Sequence, residues 1–229
     1  MSAAAREEQI VAGAIAFFSR RGLDAQIREL AEEIGIAHTL LYHYFPTKQA
    51  LIDRVYEELF EGRWDPQWES LLDRPMPIED KLCALYESYL AAILTPEWMR
   101  IIVGSGLSDG VIPARYFALL QERLLPKIIR ETRKAFGNRS RARTCAREQA
   151  LLMGLHGGLV YSLGIWPYVY GQAFDGQGDS AVVAQIIRDR VQSYLAHAAA
   201  VMPGVSKSAS QSGSKPQATP AARALRRVA

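Results

Sequence analysis

The sequence predicts an all-α protein, with a small N-terminal three-helix domain carrying a helix-turn-helix and a larger helical bundle behind it. Three observations predict this. Apolar residues recur at three- and four-residue spacing along most of the chain, strand-like alternation is nearly absent, and Gly, Pro and Asn punctuate the amphipathic stretches.

Taken in order, Arg6 to Arg21 sets Ile10, Ala14, Phe17 and Phe18 on one face, and Gly22 stops the helix. Two short apolar helices follow, Ile27 to Ile34 and His38 to Tyr44, separated by Gly35-Ile36-Ala37. Pro46-Thr47 breaks the chain, and Thr47 is placed to N-cap a helix running to about Phe60. The segment Gly62 to Pro77, with two tryptophans and three prolines, suits an irregular connector. It divides a domain of residues 1–61 from one of residues 62–202. The second domain reads as helices at about Ile78 to Leu94, Glu97 to Leu107, Pro113 to Phe136, Arg141 to Ile165 and Asp179 to Val201. Pro126 predicts a kink or break inside the third of these. Residues 203–229, rich in Ser, Ala, Gly, Lys and Pro, predict a disordered basic tail.

A chain of 229 residues, 49% hydrophobic, can bury a core that needs no staples. Cys83 and Cys145 stand alone, which excludes a disulfide framework and a zinc knuckle, so no cofactor or metal is expected. No apolar run approaches the roughly 18–20 residues of a bilayer span. The start of the chain lacks the apolar core and cleavage site of a signal peptide. The expectation is a cytoplasmic, nucleoid-associated bacterial protein with no membrane partner.

The formal charge of +3 is unevenly spread. Residues 1–60 carry six Lys/Arg against nine Asp/Glu, and residues 61–120 carry five against nine. Residues 121–147 hold nine Lys/Arg against two acids, residues 148–202 hold two against four, and residues 203–229 hold five and no acid. Overall basicity is therefore no argument for nucleic-acid binding, which must rest on particular side chains.

Those side chains lie in Ile27 to Phe45. The first short helix buries Leu30, Ala31 and Ile34, small Ala31 allows a close crossing, and Gly35 can take the positive φ of a tight turn. The second is anchored by Leu41, Tyr44 and Phe45, which leaves His38, Thr39, Tyr42 and His43 outward. Such a helix fits the major groove and presents its N-terminal residues to base edges. His38 and Thr39 are the expected base readers. Tyr42, His43 and Lys48 are the expected phosphate contacts, with Ala37 and Arg28 completing the DNA-binding set.

Residues 6–60 resemble the TetR family of bacterial transcriptional regulators. The most specific part is Gly35-Ile36…Leu41-Tyr42-His43-Tyr44-Phe45-Pro46-Thr47-Lys48…Leu51, which looks like the family's G-V-S-x-x-x-L-Y-x-H-F-x-S-K-x-x-L pattern. Two departures stand out: Gln26 replaces the usual Ser or Thr before the first short helix, and Ala37 replaces the one opening the recognition helix. Asp24 is the expected substitute cap for the former. The resemblance implies a homodimer binding a double-stranded DNA operator, and an all-helical C-terminal domain that dimerises and takes a small-molecule effector.

In that domain, Gly154, Gly157 and Gly158 form a small-residue strip. With Val182, Ile186, Val191 and Leu195 of the last helix it suggests a dimer interface, for which Gly154, Gly157, Gly158, Ile186 and Leu195 are the candidates. Aromatic and polar residues of the middle helices suggest a ligand pocket of Tyr86, Tyr89, Trp98, Tyr116, His156 and Tyr161, suited to a hydrophobic or aromatic effector.

No H-E-x-x-H pairing, Gly-rich phosphate loop or nucleophile elbow is present, so no enzyme is expected and no catalytic residue is assigned. The expected function is a ligand-released repressor. The alternatives are a DNA-binding structural or co-regulatory protein whose C-terminal domain recruits a protein partner and, behind it, a helical-bundle enzyme.

Overall fold

The computed structural model describes residues 2–204, which fold into helices joined by short turns with no strand among them. Helix α1 (Ala3–Arg21) begins at Ser2, whose hydroxyl accepts the Ala5 N–H at 3.1 Å, and ends at Gly22 with φ of 82°. A Cβ would be strained there, so the glycine fixes where the chain turns towards α2 (Ile27–Glu33). Gly35, at φ 71°, makes the second such turn and delivers α3 (His38–Tyr44).

Helix α4 (Lys48–Tyr56) starts as its sequence predicts, with Thr47 Oγ1 accepting the Ala50 N–H at 3.0 Å. It continues as a π-helical turn over Glu57–Glu61. Asp24, by contrast, does not cap α2: its carboxylate accepts a hydrogen bond from Ser108 Oγ at 3.0 Å. Gln26 makes no side-chain cap either.

The connector is more ordered than its prolines suggest. It contains α5 (Gln67–Leu71), where Trp68 is buried and donates to Ser88 Oγ at 3.0 Å. Then come α6 (Ile78–Ile93) and α7 (Pro96–Leu107), bent by 84° at the Leu94-Thr95 break. The break expected at Pro126 falls at Leu124, between α8 (Val111–Arg123) and α9 (Leu125–Ala135). The proline occupies the first turn of the new helix, where its missing N–H costs nothing.

Helix α10 (Ala146–Val160) starts later than expected, because Arg141 to Thr144 belong to a loop held onto α9. It runs through a π-helical turn (Tyr161–Ile165) into the short α11 (Trp166–Tyr168). This stretch, Ala146–Tyr168, is long and apolar enough to cross a membrane, with mean hydropathy 1.2. That corrects the run-length reading, which stopped at its interspersed Gly, Ser and His residues. In the fold it packs along α12 (Ser180–Val201) as a core helix, with Leu152, Leu155 and Leu159 buried.

Helix α12 buries Ile187, Val191, Tyr194 and Ala198, the 4-3-4 spacing of one inward stripe. The buried apolar side chains form one connected cluster from Ile10 of α1 to Met202. The core of the middle helices is thus continuous with that of the helices that hold α3. Nearly all of the basic tail lies outside the described residues, so nothing is said of the disorder expected there.

Candidate functional site

Helix α3 is held by its inner face and presents its outer one. Leu41 is fully buried and Phe45 nearly so, while Tyr44 is half-buried. Burying Leu41 and Phe45 stabilises the docking of a two-turn helix by about 1.5–3 kcal/mol each, which a helix of this length needs. His38, Thr39, Tyr42 and His43 are exposed, so the structure brings these four candidates onto one surface. The His38 and Tyr42 rings meet edge to face at 4.7 Å, one turn apart, which stiffens that surface.

Ala37 is exposed and gives α3 no side-chain cap. The first N–H groups of the helix are left without intrahelical partners, an arrangement that suits an anion. Lys48, half-buried, opens α4 one short turn beyond α3. Arg28 sits apart on α2, exposed and paired with Glu32 at 3.3 Å.

The acidity of residues 1–60 also finds a place. Glu33 pairs with Arg20, and Glu7 and Glu58 both pair with Arg54, at 3.5 and 3.0 Å. With Glu32 on Arg28, these carboxylates face arginines of α1, α2 and α4, and α3 itself contains no acid. The surface of α3 is therefore not repelled by its own helix.

In the larger part of the fold, five of the six pocket candidates meet. Tyr86, Tyr89, Trp98, Tyr116 and His156 are all buried. The His156 ring lies 5.6 Å from Tyr89 and 6.2 Å from Tyr86, and Trp98 meets Tyr116 at 5.1 Å. A hydrogen bond of 2.8 Å between the Tyr89 and Tyr116 hydroxyls joins the two groups. Burial pushes all three tyrosines above their ordinary range, so they stay neutral. Burial also lowers His156 to about 4, which keeps its imidazole uncharged near neutral pH. Tyr86 Oη and Trp98 Nε1 are buried with no hydrogen-bond partner among the described residues. An orphaned hydroxyl and indole N–H in an apolar interior are costly unless something supplies an acceptor.

Tyr161 does not join them. It is 44% exposed and faces Trp166 at 6.0 Å and Tyr170 at 6.2 Å, because five residues set it about 140° around the helix from His156. Sequence spacing missed Phe60 and Trp68, which pack at 5.1 Å on Trp98 and Tyr89 respectively. Phe60 ends the helix before the expected connector and Trp68 lies inside it, and only their size signalled burial.

The glycine strip is open. A Cβ built on Gly154, Gly157 or Gly158 would meet nothing within 4 Å, so the strip does not serve a close intrachain contact. Of the partners expected on α12, Val191 is fully buried in the chain's own core and cannot contribute. Ile186 and Leu195 are half-buried, but nine residues place them about 180° apart around the helix. A single seam can take only one of the two.

Residues 10–55 match the family described as bacterial regulatory proteins, tetR family. The chain is 28% identical over 91 residues to the HTH-type transcriptional repressor KstR2 of Mycolicibacterium smegmatis. That alignment covers 39% of this chain and 44% of the repressor, less than half its length. Two solved structures share the fold, both TetR-family transcriptional regulators at 17% identity over 86% of this chain. One is from Mesorhizobium loti MAFF303099 (TM-score 0.54, 98% of that chain) and the other from Pseudomonas syringae pv. tomato str. DC3000 (TM-score 0.57, 97%). The segment that presents α3, residues 10–55, is thus a helix-turn-helix domain of the TetR family of bacterial regulatory proteins.

Proposed function

We propose that the chain is a homodimeric, DNA-binding transcriptional repressor, with residues 1–61 acting as its DNA-binding domain. The observation that carries this reading is the outer face of α3. His38, Thr39, Tyr42 and His43 project from one acid-free helix surface while Leu41 and Phe45 pin the other. His38 and Thr39, near the N-terminus of α3, read base edges in the major groove. Tyr42, His43 and Lys48 hold phosphates, with the open N–H groups after Ala37 and with Arg28 at the margin.

One short recognition helix reads only a half-site, so two copies act together on a palindromic operator. Gly154, Gly157 and Gly158 supply the surface on which a second α10 can approach closely, with one of Ile186 and Leu195 at its flank. A small hydrophobic or aromatic effector enters the cluster of Tyr86, Tyr89, Trp98, Tyr116 and His156 and accepts from Tyr86 Oη or Trp98 Nε1. It releases DNA if it binds better to the arrangement in which the two α3 helices are wrongly spaced.

Selection from random duplex DNA tests the core of this reading. The expected result is an inverted repeat whose half-sites lie about one helical turn apart or a multiple of it. Recovery of no enriched sequence from a dimeric, folded sample would overturn it.

A further inference from the structure

The same chain carries a concave site that the DNA-binding reading does not use. Between α9, the loop of residues 136–145 and the start of α10 lies a groove of about 1190 Å³. Its floor is apolar: Leu125, Ile129 and Leu152 are buried and Met153 is half-buried. Its rim is cationic, with Arg130, Lys134, Arg139, Arg141 and Arg143, and no Asp or Glu lines it.

The rim is built rather than incidental. Arg133 is buried and paired with Glu148 on two sides, Nε to Oε1 at 2.6 Å and Nη2 to Oε2 at 2.5 Å. Its remaining nitrogen, Nη1, donates to the Ala142 carbonyl at 2.7 Å, which ties the loop to α9. Ser140 N–H donates to Asn138 Oδ1 and Ala142 N–H to Ser140 Oγ, so the loop turns tightly and brings three arginines to one edge. Besides Arg133, Lys134 is also paired with a carboxylate, donating to Glu131 Oε1 at 2.5 Å. Arg130, Arg139, Arg141 and Arg143 make no ion pair among the described residues.

We propose that this groove binds an amphipathic anion, an apolar chain or ring system ending in a phosphate or polyphosphate head. The apolar part covers Leu125, Ile129, Leu152 and Met153, and the arginines of the rim take the phosphate oxygens. Charge complementarity selects the head, since Arg forks match phosphate geometry and four unpaired cations around one concavity repel each other until an anion arrives. Concavity selects a small molecule over a flat membrane surface. Gln149 and Leu152 lie about 130–170° around α10 from the centre of the glycine strip, so a partner seated on the strip leaves that side of the groove open. The site stands independently of whether the aromatic cluster takes an effector or α3 takes DNA.

Direct binding to the full-length protein tests it, with dodecyl phosphate below its micellar concentration as probe and dodecanol and inorganic phosphate as controls. The expected result is saturable binding of dodecyl phosphate, at least tenfold tighter than either control. The Arg139→Gln/Arg143→Gln double variant should weaken it at least tenfold, while Arg20→Gln on α1 leaves it unchanged. Circular dichroism and thermal melting of the double variant establish that it folds. Equal affinity in the double variant, or no preference over dodecanol, overturns the proposal. So does binding seen only with vesicles containing phosphatidylglycerol, which would make the groove a membrane contact instead.

Discussion

The guanidinium of Arg115 lies 3.8 Å above the ring centre of Tyr56 and donates to Asp53 Oδ1 at 2.8 Å. One side chain of α8 thus grips two residues of α4, the helix that follows α3. The contact sits beside the aromatic cluster, since Tyr56 stacks on Phe60 at 5.2 Å and Phe60 meets Trp98 at a tilt at 5.1 Å. Ser108 on Asp24 is a second tie, reaching the turn before α2.

Arg115→Gln should therefore loosen α8 from α4. Partial exposure limits the cost to about 1 kcal/mol, from a screened ion pair and a cation–π contact together. That corresponds to a fall in melting temperature of roughly 2–4 °C for a chain of this size. A double-mutant cycle with Tyr56→Leu should give a coupling of about 0.5 kcal/mol, and strict additivity would refute the contact's contribution.

The buried imidazole of His156 makes a pH prediction. Burial holds it at about 4 in the folded protein, below the ordinary 6.5, so the unfolded chain binds the extra proton between those values. Stability attributable to this group is complete above pH 6.5 and declines as pH falls towards 4, by about 3 kcal/mol in all. His156→Phe should flatten urea-unfolding stability across that window. If its pH dependence matched the parent's, the neutral buried state would be wrong.

The Arg133–Glu148 pair makes another, at lower pH. The Arg133 hydrogen bonds hold Glu148 below the usual carboxylate range, so its contribution is present above pH 4.5 and is lost as the pH falls through the depressed value. Glu148→Ala strands the buried guanidinium and should cost about 3–5 kcal/mol at neutral pH. Arg133→Met/Glu148→Leu should cost clearly less, because no charge is stranded. Equilibrium denaturation of both variants checks this, and equal losses would contradict it.

How much of this was legible in the sequence follows from the range of the interactions. The Gly35 turn, the Thr47 cap and the split between Leu41 and its outward neighbours depend on residues within four positions, so spacing alone placed them. The tail end of the chain's logic is nonlocal. Asp24 was read as a cap because capping is local, yet its partner Ser108 is 84 positions away. Val191 was read onto an open face because periodicity gives a helix's stripe but not the direction in which the stripe points. Tyr161 belongs to the aromatic set by residue type alone, since five residues put it about 140° around the helix from His156 and outside the cluster. The aromatic cluster was recognisable by residue type, whereas Phe60 and Trp68 needed the fold to bring them in.

The open glycine strip separates folding from association in a single variant. A Cβ at Gly157 meets nothing within 4 Å among the described residues, so Gly157→Leu should be accommodated, and replacing a helical glycine should if anything raise monomer stability by about 0.5–1 kcal/mol. Against a closely packed second α10 the same side chain would clash. Sedimentation velocity at micromolar concentration should show a dimer for the parent and a monomer for the variant, with melting temperature maintained. A variant that stays dimeric would move the interface elsewhere.

The division of labour along α3 predicts two different losses on DNA. Lys48 contacts phosphate in this reading, so Lys48→Ala should weaken binding to all duplexes similarly and reduce the slope of log K against log salt by about 1. Tyr42→Ala should also weaken binding broadly, without that change in slope, because the phenol hydroxyl carries no charge. His38 stands where base edges are read, so His38→Ala should cost about 1–3 kcal/mol on the selected operator and much less on unrelated DNA. Fluorescence anisotropy across a salt series, on the operator and on a scrambled duplex, measures all three. The assignment fails if His38→Ala weakens both duplexes equally, because a residue that reads sequence must discriminate between them.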